Sequence, residues 1–253
     1  MSVKHVILFF FIMVLFSCNK DFHLNKIEGK RIEINDEISG NESIEEFIKP
    51  YRENVIKNLD SVISYAPDTY SKTDGEFNTA IGNLMADAVF EEANPVFNKR
   101  TGKNIDFVIL NHGGIRSIIP EGNITTRTAY KVMPFENSTV VVALKGIQIH
   151  EMLKYLSLAK RAHPLSKHVQ ITLNPGFELV DASINNQPID KNRTYYVATN
   201  DYLYNGGDKM TFFQPNDSLY VLDYKIRNVL IDYFKKKDTI KPVIDNRFIQ
   251  LKK

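Results

Sequence analysis

Apolar positions along the chain switch repeatedly between helical and strand spacing. Ile44, Phe47, Ile48, Tyr51, Val55 and Leu59 recur every three or four residues, and Ser43 with Glu46 has the spacing of a capping box, so a first helix is expected from Ser43. Residues 61–66 read as a short strand ended by Pro67. A second helix is expected over 79–94, with Ile81, Leu84, Met85, Ala88 and Val89 inward and Pro95 marking its end. The unbroken apolar run 105–110 has the pattern of a strand buried on both faces. Thr125 and Thr126 open a short helix that stops before Pro134, and 139–144 is a β-branched strand. Gly146 leads into a third long helix carrying Ile149, Leu153 and Leu156. Strands are expected over 169–173 and 177–180, a turn at Asn185-Asn186, and another strand over 195–199. A final helix, capped by Asp223, would bury Ile226, Val229, Leu230, Tyr233 and Phe234, and 247–251 reads as a last strand. Helices and strands alternate without βαβ regularity, which predicts a single α/β (α+β) domain over 43–253, a mixed β-sheet flanked by helices.

The first seventeen residues have a different character. Lys4 precedes an unbroken apolar run from Val6 to Phe16, too short to span a bilayer as a helix, which needs roughly 20 residues. The stretch reads as a secretory signal. Cys18, the chain's one cysteine, stands where the cleavage site falls, and the pattern resembles a bacterial lipobox with Phe16 bulkier than usual. Lipidated there, the chain would be an exported bacterial lipoprotein held at a membrane, with the outer membrane expected. No thiol would remain for a disulfide, leaving stability to a packed core. Residues 18–42 then form the lipidated cysteine and a polar tether. Lys plus Arg number 32 against 30 Asp plus Glu, and the longest basic block is Lys235-Lys-Lys237. That run suits the last turn of a helix, and no nucleic-acid partner is expected.

Candidate chemistry gathers in two stretches, Asn111-His-Gly-Gly-Ile-Arg116 and Asn200-Asp-Tyr-Leu-Tyr-Asn-Gly-Gly-Asp208. In each, a strand runs into a glycine pair with a charged side chain behind it. Such a pair lets backbone approach a ligand closely, although either alone is an ordinary turn signal. Phe135 and Tyr202 supply aromatic faces, and each also reads as a core residue. Arg116 could pair with a structural acid, and Asp208 could cap a turn. His112 beside the glycines has no second histidine or paired carboxylate close in sequence, so it is given no catalytic role.

As a set, these residues resemble a known family. Ile81-Gly-Asn-Leu-Met-Ala-Asp87, Asn111-x-Gly-Gly-Ile-Arg116, Met133-Pro-Phe-Glu-Asn137, Leu144-Lys-Gly146 and Tyr196-Val-Ala-Thr-Asn200 through Gly206-Gly-Asp208 occur in the order and spacing of the C-terminal, substrate-specificity domain of the 5′-nucleotidases. The resemblance implies a nucleotide or nucleoside ligand. Asn111 would bond the base edge, Arg116 the phosphate, Phe135 and Tyr202 would sandwich the base, and Asp208 would hold the ribose hydroxyls. Asn137 is a further candidate base contact, and Gly113, Gly114, Gly206 and Gly207 would keep Cβ atoms out of the ligand's way. Two departures stand out. The family's arginine before the Gly-Asn-Leu helix is absent from Lys72-Thr-Asp-Gly-Glu-Phe-Asn78, where Lys72 is the candidate substitute, and Lys209 follows Asp208 where the family usually has glycine.

In full-length members, hydrolysis belongs to a metallophosphatase domain with two metal ions, which needs clustered Asp, His and Asn ligands. None of that domain's motifs occurs in this sequence, and its six histidines fit no ligand spacing. No catalytic residue, metal ligand or cofactor is therefore expected in this chain; divalent metals would sit in a separate metallophosphatase subunit. The alternative is a non-catalytic surface lipoprotein that binds nucleosides or nucleotides.

Overall fold

The computed structural model describes residues 3–5, 24–35 and 37–252. The expected signal's apolar run and Cys18 lie outside the described residues. Among those described, no helix is long and apolar enough to cross a membrane. The chain divides into two compact units, one through Lys49 and one from Pro50 onward. In the first, residues 24–35 carry no regular element and are exposed.

Helix α1 runs Glu42–Asp60 and buries none of its residues. Its cap is Asn41 rather than Ser43: the Asn41 Oδ1 accepts from the Ser43 and Ile44 amides, so the capping box expected at Ser43 and Glu46 begins two residues late.

Strand β1 (Val62–Ala66) pairs antiparallel with β3 (Gly122–Thr125), a strand the apolar pattern did not reveal. Helix α2 (Ala80–Thr101) is capped by the Thr79 side chain and ends at Gly102, whose φ of 70° is the left-handed backbone glycine favours. It runs straight through Pro95, which was expected to end it. An interior proline costs about 3 kcal/mol. Here the fully buried Ala93 and Phe97 flank it, and the Asn94 and Asn98 side chains bond the backbone at Ile105 and Lys103. Tertiary burial outweighs the local signal.

The centre of the fold is a mixed sheet in the order β2-β8-β4-β9. Strand β2 (Phe107–Val108) lies parallel to β8 (Thr194–Asn200), which is antiparallel to β4 (Ser138–Lys145). The edge strand β9 (Ser218–Lys225) pairs antiparallel with β4. Its register slips near Asp223, whose φ is 54°, so Asp223 sits inside a strand and Lys225, not Asp223, precedes the last helix. Side chains of the sheet alternate between two cores, as a strand's period of two requires. Phe107, Ile109, Val140, Val142 and Val197 join one core. Val108, Leu110, Val141 and Ala198 join the other. The burial of 105–110 on both faces follows from that split.

The second of these cores is closed by α2, by α3 (Thr126–Val132) and by α6 (Ile226–Lys235). The first is closed by α4 (Gly146–Ala159) and by a second mixed sheet, β10-β5-β6-β7. That sheet comprises β5 (Val169–Leu173), β6 (Leu179–Ile184), β7 (Gln187–Pro188) and β10 (Phe248–Gln250). Phe177, expected in a strand, has φ 66° and belongs to the turn before β6. Arg247, 6% exposed, joins the layers by bonding Asp87, Asp245 and the Leu165 carbonyl. Burial alone would lift the Asp245 carboxyl, but hydrogen bonds from Arg247 outweigh it and hold the group below its usual value. Asp87 and Asn83, both in the Gly-Asn-Leu motif, are therefore structural; Asn83 Nδ2 donates to Asn78 Oδ1 and the Val243 carbonyl.

Candidate functional site

Strands β2 and β8 are parallel and β4 runs against them, so the ends of the first two and the start of the third share one rim of the sheet. Asn111 follows β2, Phe135 and Asn137 precede β4, and β8 passes into a one-turn helix, α5 (Asp201–Tyr204). A cavity of about 320 Å³ opens at this rim, lined by Asn111, Gly113, Arg116, Phe135, Asn137, Tyr202 and Asp208. Phe135 and Tyr202 are 42% and 46% exposed, so neither ring is spent on a core.

The amides present defined groups to this cavity. Asn200 Oδ1 accepts from the Leu203 amide, so its Nδ2 must be the group that donates to Asn111 Oδ1, at 3.1 Å. That chain of donors fixes the Asn111 carboxamide and leaves its Nδ2 for a ligand acceptor. Asn137 Nδ2 donates to Asp201 Oδ1 at 3.0 Å, tying the loop of Phe135 to the helix that carries Tyr202. The Arg116 guanidinium stands 5.8 Å from the centre of the Phe135 ring. Lys72 donates to the Ile115 carbonyl at 2.9 Å, which brings its charge to the backbone beside Arg116.

Gly114, Gly206 and Gly207 do not line the cavity; they shape its walls. A Cβ on Gly114 would lie 3.1 Å from Asn111 Oδ1, and one on Gly207 would lie 2.4 Å from the Tyr202 ring. Gly206 has φ 91°. The turn continues left-handed through Asp208 and Lys209, at φ 52° and 61°, so Lys209 adopts the conformation for which glycine is suited. The Tyr202 hydroxyl donates to Asp208 Oδ1 at 3.0 Å, and the Tyr155 hydroxyl donates to the Asp208 carbonyl at 2.9 Å.

Arg227 on α6 was not singled out from the sequence, yet it holds the Phe135 loop. Its guanidinium donates to the Pro134 and Phe135 carbonyls at 3.3 and 3.5 Å, pairs with Glu136 and stacks on Tyr130 at 4.1 Å. The pairing holds the Glu136 carboxyl below its usual value. No local pattern announces this partnership across some ninety residues of chain; the only signal is a basic residue on the buried side of an amphipathic helix.

His112 does not line the cavity. Burial lowers its pKa, and its Nδ1 faces the Ala162 carbonyl at 3.2 Å. His163, also unremarked in the sequence, is 3% exposed, and its Nδ1 accepts from the His112 amide at 3.3 Å. Burial pushes its pKa down to about 4, against an opposing pull from the Asp208 carboxylate.

An open, partly apolar cleft with a few convergent polar groups is the usual form of a small-molecule site. The family model for the 5′-nucleotidase C-terminal domain matches residues 56–215, and the chain belongs to that family. Among curated proteins it is 34% identical over 164 residues to the trifunctional nucleotide phosphoesterase protein YfkN of Bacillus subtilis, a match covering 58% of this chain and 11% of that protein. It is 26% identical over 190 residues to protein UshA of Escherichia coli K12, covering 72% and 32% respectively. The chain spans only 11% to 32% of the length of the first curated relatives it matches. Among solved structures, the 5′-nucleotidase precursor from Thermus thermophilus superposes with a TM-score of 0.68 at 23% identity, covering 83% of this chain and 43% of that one. The NAD nucleotidase NadN of Haemophilus influenzae gives 0.64 at 17% identity, over 84% and 42%. At these identities the two structures speak to the fold.

Proposed function

We propose that this domain is the nucleotide- and nucleoside-recognition half of a 5′-nucleotidase-type phosphohydrolase in nucleotide catabolism, acting with a separate metallophosphatase chain. The observation that carries the reading is convergence: seven side chains and backbone positions from three separate stretches of sequence line one cavity, with both aromatic rings exposed to it. A base would enter between Phe135 and Tyr202, where stacking contributes about 1–3 kcal/mol whichever base is present. Asn111 Nδ2 would donate to its edge. Asp208, now bonded to the Tyr202 hydroxyl, would accept from ribose hydroxyls, and Arg116 with Lys72 would face the phosphate.

Hydrolysis in such enzymes rests on two metal ions that clamp the attacking and leaving oxygens. Among the described residues no three His, Cys, Asp or Glu side chains stand together as a metal site. In this reading the chain binds and orients the nucleotide, and hydrolysis belongs to the partner. It would meet its partner as an exported lipoprotein anchored through Cys18 at the outer membrane. Mass spectrometry of the N-terminal peptide from membrane fractions tests that anchor, and an unmodified cysteine would dismiss it.

Calorimetry with adenosine and AMP, on the intact chain and on Phe135→Ala, tests recognition. Loss of the ring should weaken both ligands by about 5- to 150-fold. Equal affinity for adenosine and AMP would favour nucleoside capture over presentation of a phosphate. Mixing the chain with a metallophosphatase from the same genome should stimulate phosphate release from AMP; no complex and no stimulation would end the two-chain reading.

A further inference from the structure

Tyr202 carries more than an aromatic face. Stacking acts through the π-system, and a phenylalanine would present the same ring to a base, so the hydroxyl serves some other purpose. Both of its hydrogen bonds go to one residue. It donates to Asp208 Oδ1 at 3.0 Å and accepts from the Asp208 amide at 3.3 Å. Among the described residues that carboxylate is engaged through Oδ1 alone, which leaves Oδ2 to accept from a ligand in the cleft that Asp208 lines.

The turn that carries Asp208 gives these bonds something to hold. Gly206, Asp208 and Lys209 have φ of 91°, 52° and 61°, left-handed backbone that side chains other than glycine seldom adopt. From α4, the Tyr155 hydroxyl donates to the Asp208 carbonyl at 2.9 Å, and burial raises its pKa, which keeps it a donor. The amide, carbonyl and carboxylate of Asp208 are thus each bonded to a tyrosine hydroxyl. A Cβ on Gly207 would lie 2.4, 2.5 and 2.6 Å from Cε1, Cδ1 and Cζ of Tyr202, so the turn's backbone presses on the ring edge that leads to the hydroxyl. Ring, hydroxyl and carboxylate form one closed unit.

We propose that the Tyr202 hydroxyl is a positioning group that couples base recognition to sugar recognition. It holds the Asp208 carboxylate in fixed register with the ring of Tyr202 itself, so a nucleoside stacked on that ring meets an acceptor already turned toward its ribose hydroxyls. Without the hydroxyl, the ring still stacks, but the carboxylate rotates among its rotamers and must be ordered at the moment of binding. The inference rests on the cleft reading above and deepens it: selection for a ribose diol depends on a group that itself contacts the protein rather than the sugar.

Calorimetry on the full chain compares adenosine with 2′,3′-dideoxyadenosine in the wild type, in Tyr202→Phe and in Asp208→Asn, while amide hydrogen exchange follows Asp208 and Lys209 without ligand. The wild type should bind adenosine about tenfold tighter than the dideoxynucleoside, the size of one hydrogen bond to a charged group. In Tyr202→Phe that ratio should fall to about two, close to the ratio in Asp208→Asn, and the Asp208 amide should exchange faster. A ratio that survives the loss of the hydroxyl overturns the proposal. So does an equal fall in affinity for both ligands, because a hydroxyl that served only the fold of the turn would weaken them alike. Equal wild-type affinity for the two ligands removes Asp208 from sugar recognition and the positioning role with it. If the wild type binds neither, the cleft reading itself fails, and faster exchange in Tyr202→Phe would then assign the hydroxyl to the turn alone.

Discussion

Replacing Arg227 with methionine should loosen the Phe135 loop and weaken ligand binding from a residue that does not line the cleft. The side chain is 8% exposed and makes three kinds of contact. Its hydrogen bond to the Pro134 carbonyl, at 3.3 Å from a charged donor, is worth about 1.5–3 kcal/mol; the 3.5 Å bond to Phe135 sits at the limit and adds little. Stacking on Tyr130 adds about 0.5–2 kcal/mol. The pair with Glu136 contributes about 0–1 kcal/mol, because that carboxylate is 71% exposed. Against this, Arg227 Nε is buried without a partner, and methionine removes that penalty while filling most of the stem's volume. The net loss should be about 2–3 kcal/mol in urea unfolding. Adenosine affinity should fall by about tenfold under conditions where the variant remains folded, because Phe135 is no longer held against the gap. Arg227→Lys should fall between, keeping a charge near Glu136 without the fork that reaches two carbonyls. Wild-type adenosine affinity in a destabilised Arg227→Met protein would refute the link between this residue and the cleft.

Gly207→Ala would set a methyl group 2.4 Å from the Tyr202 ring. Because that ring is half exposed and can swing aside, stability should change by less than about 1 kcal/mol while adenosine titration shows about a tenfold loss. Lys209→Gly should stabilise the fold by about 1 kcal/mol in urea melts, since φ 61° suits glycine; unchanged or lower stability would contradict the left-handed turn. Stability should also fall in mild acid. His163 stays neutral in the fold down to about pH 4, whereas an unfolded chain takes up that proton near pH 6.5. The contribution is therefore full above about pH 6.5 and is lost as pH drops toward 4, by up to about 3 kcal/mol. His112 and His168, whose pKa values burial also lowers, act in the same direction. Urea midpoints at pH 7, 5.5 and 4.5 would show this, and a His163→Gln protein should show a shallower decline; an identical slope would remove His163 from the account.

The cleft was legible in the sequence because its residues sit in short motifs where backbone and side chain do their work locally: Asn111 with its glycines, and Asp208 behind Gly206-Gly207. Both rings were named, although Tyr202 rides a one-turn helix rather than a strand end. What escaped was long-range. Arg227 reaches the Phe135 loop only after α6 packs, and His163 meets His112 only when the loop after α4 closes on β2. Pro95 and Asp223 misled for a shared reason. Each is a strong local signal, a helix breaker and a helix cap, overruled by burial of Phe97 in one case and by pairing of β9 with β4 in the other. The edge strand β9 went unseen because its apolar residues do not alternate cleanly with polar ones.

The split of the central sheet between two cores has an evolutionary reach. The residues lining the cleft lie beyond the strand ends, whereas the interdigitated interior lies between them. Exchanging a rim side chain therefore leaves the packing of both interiors intact, so such a scaffold can drift from one metabolite to another by small steps without first becoming unstable.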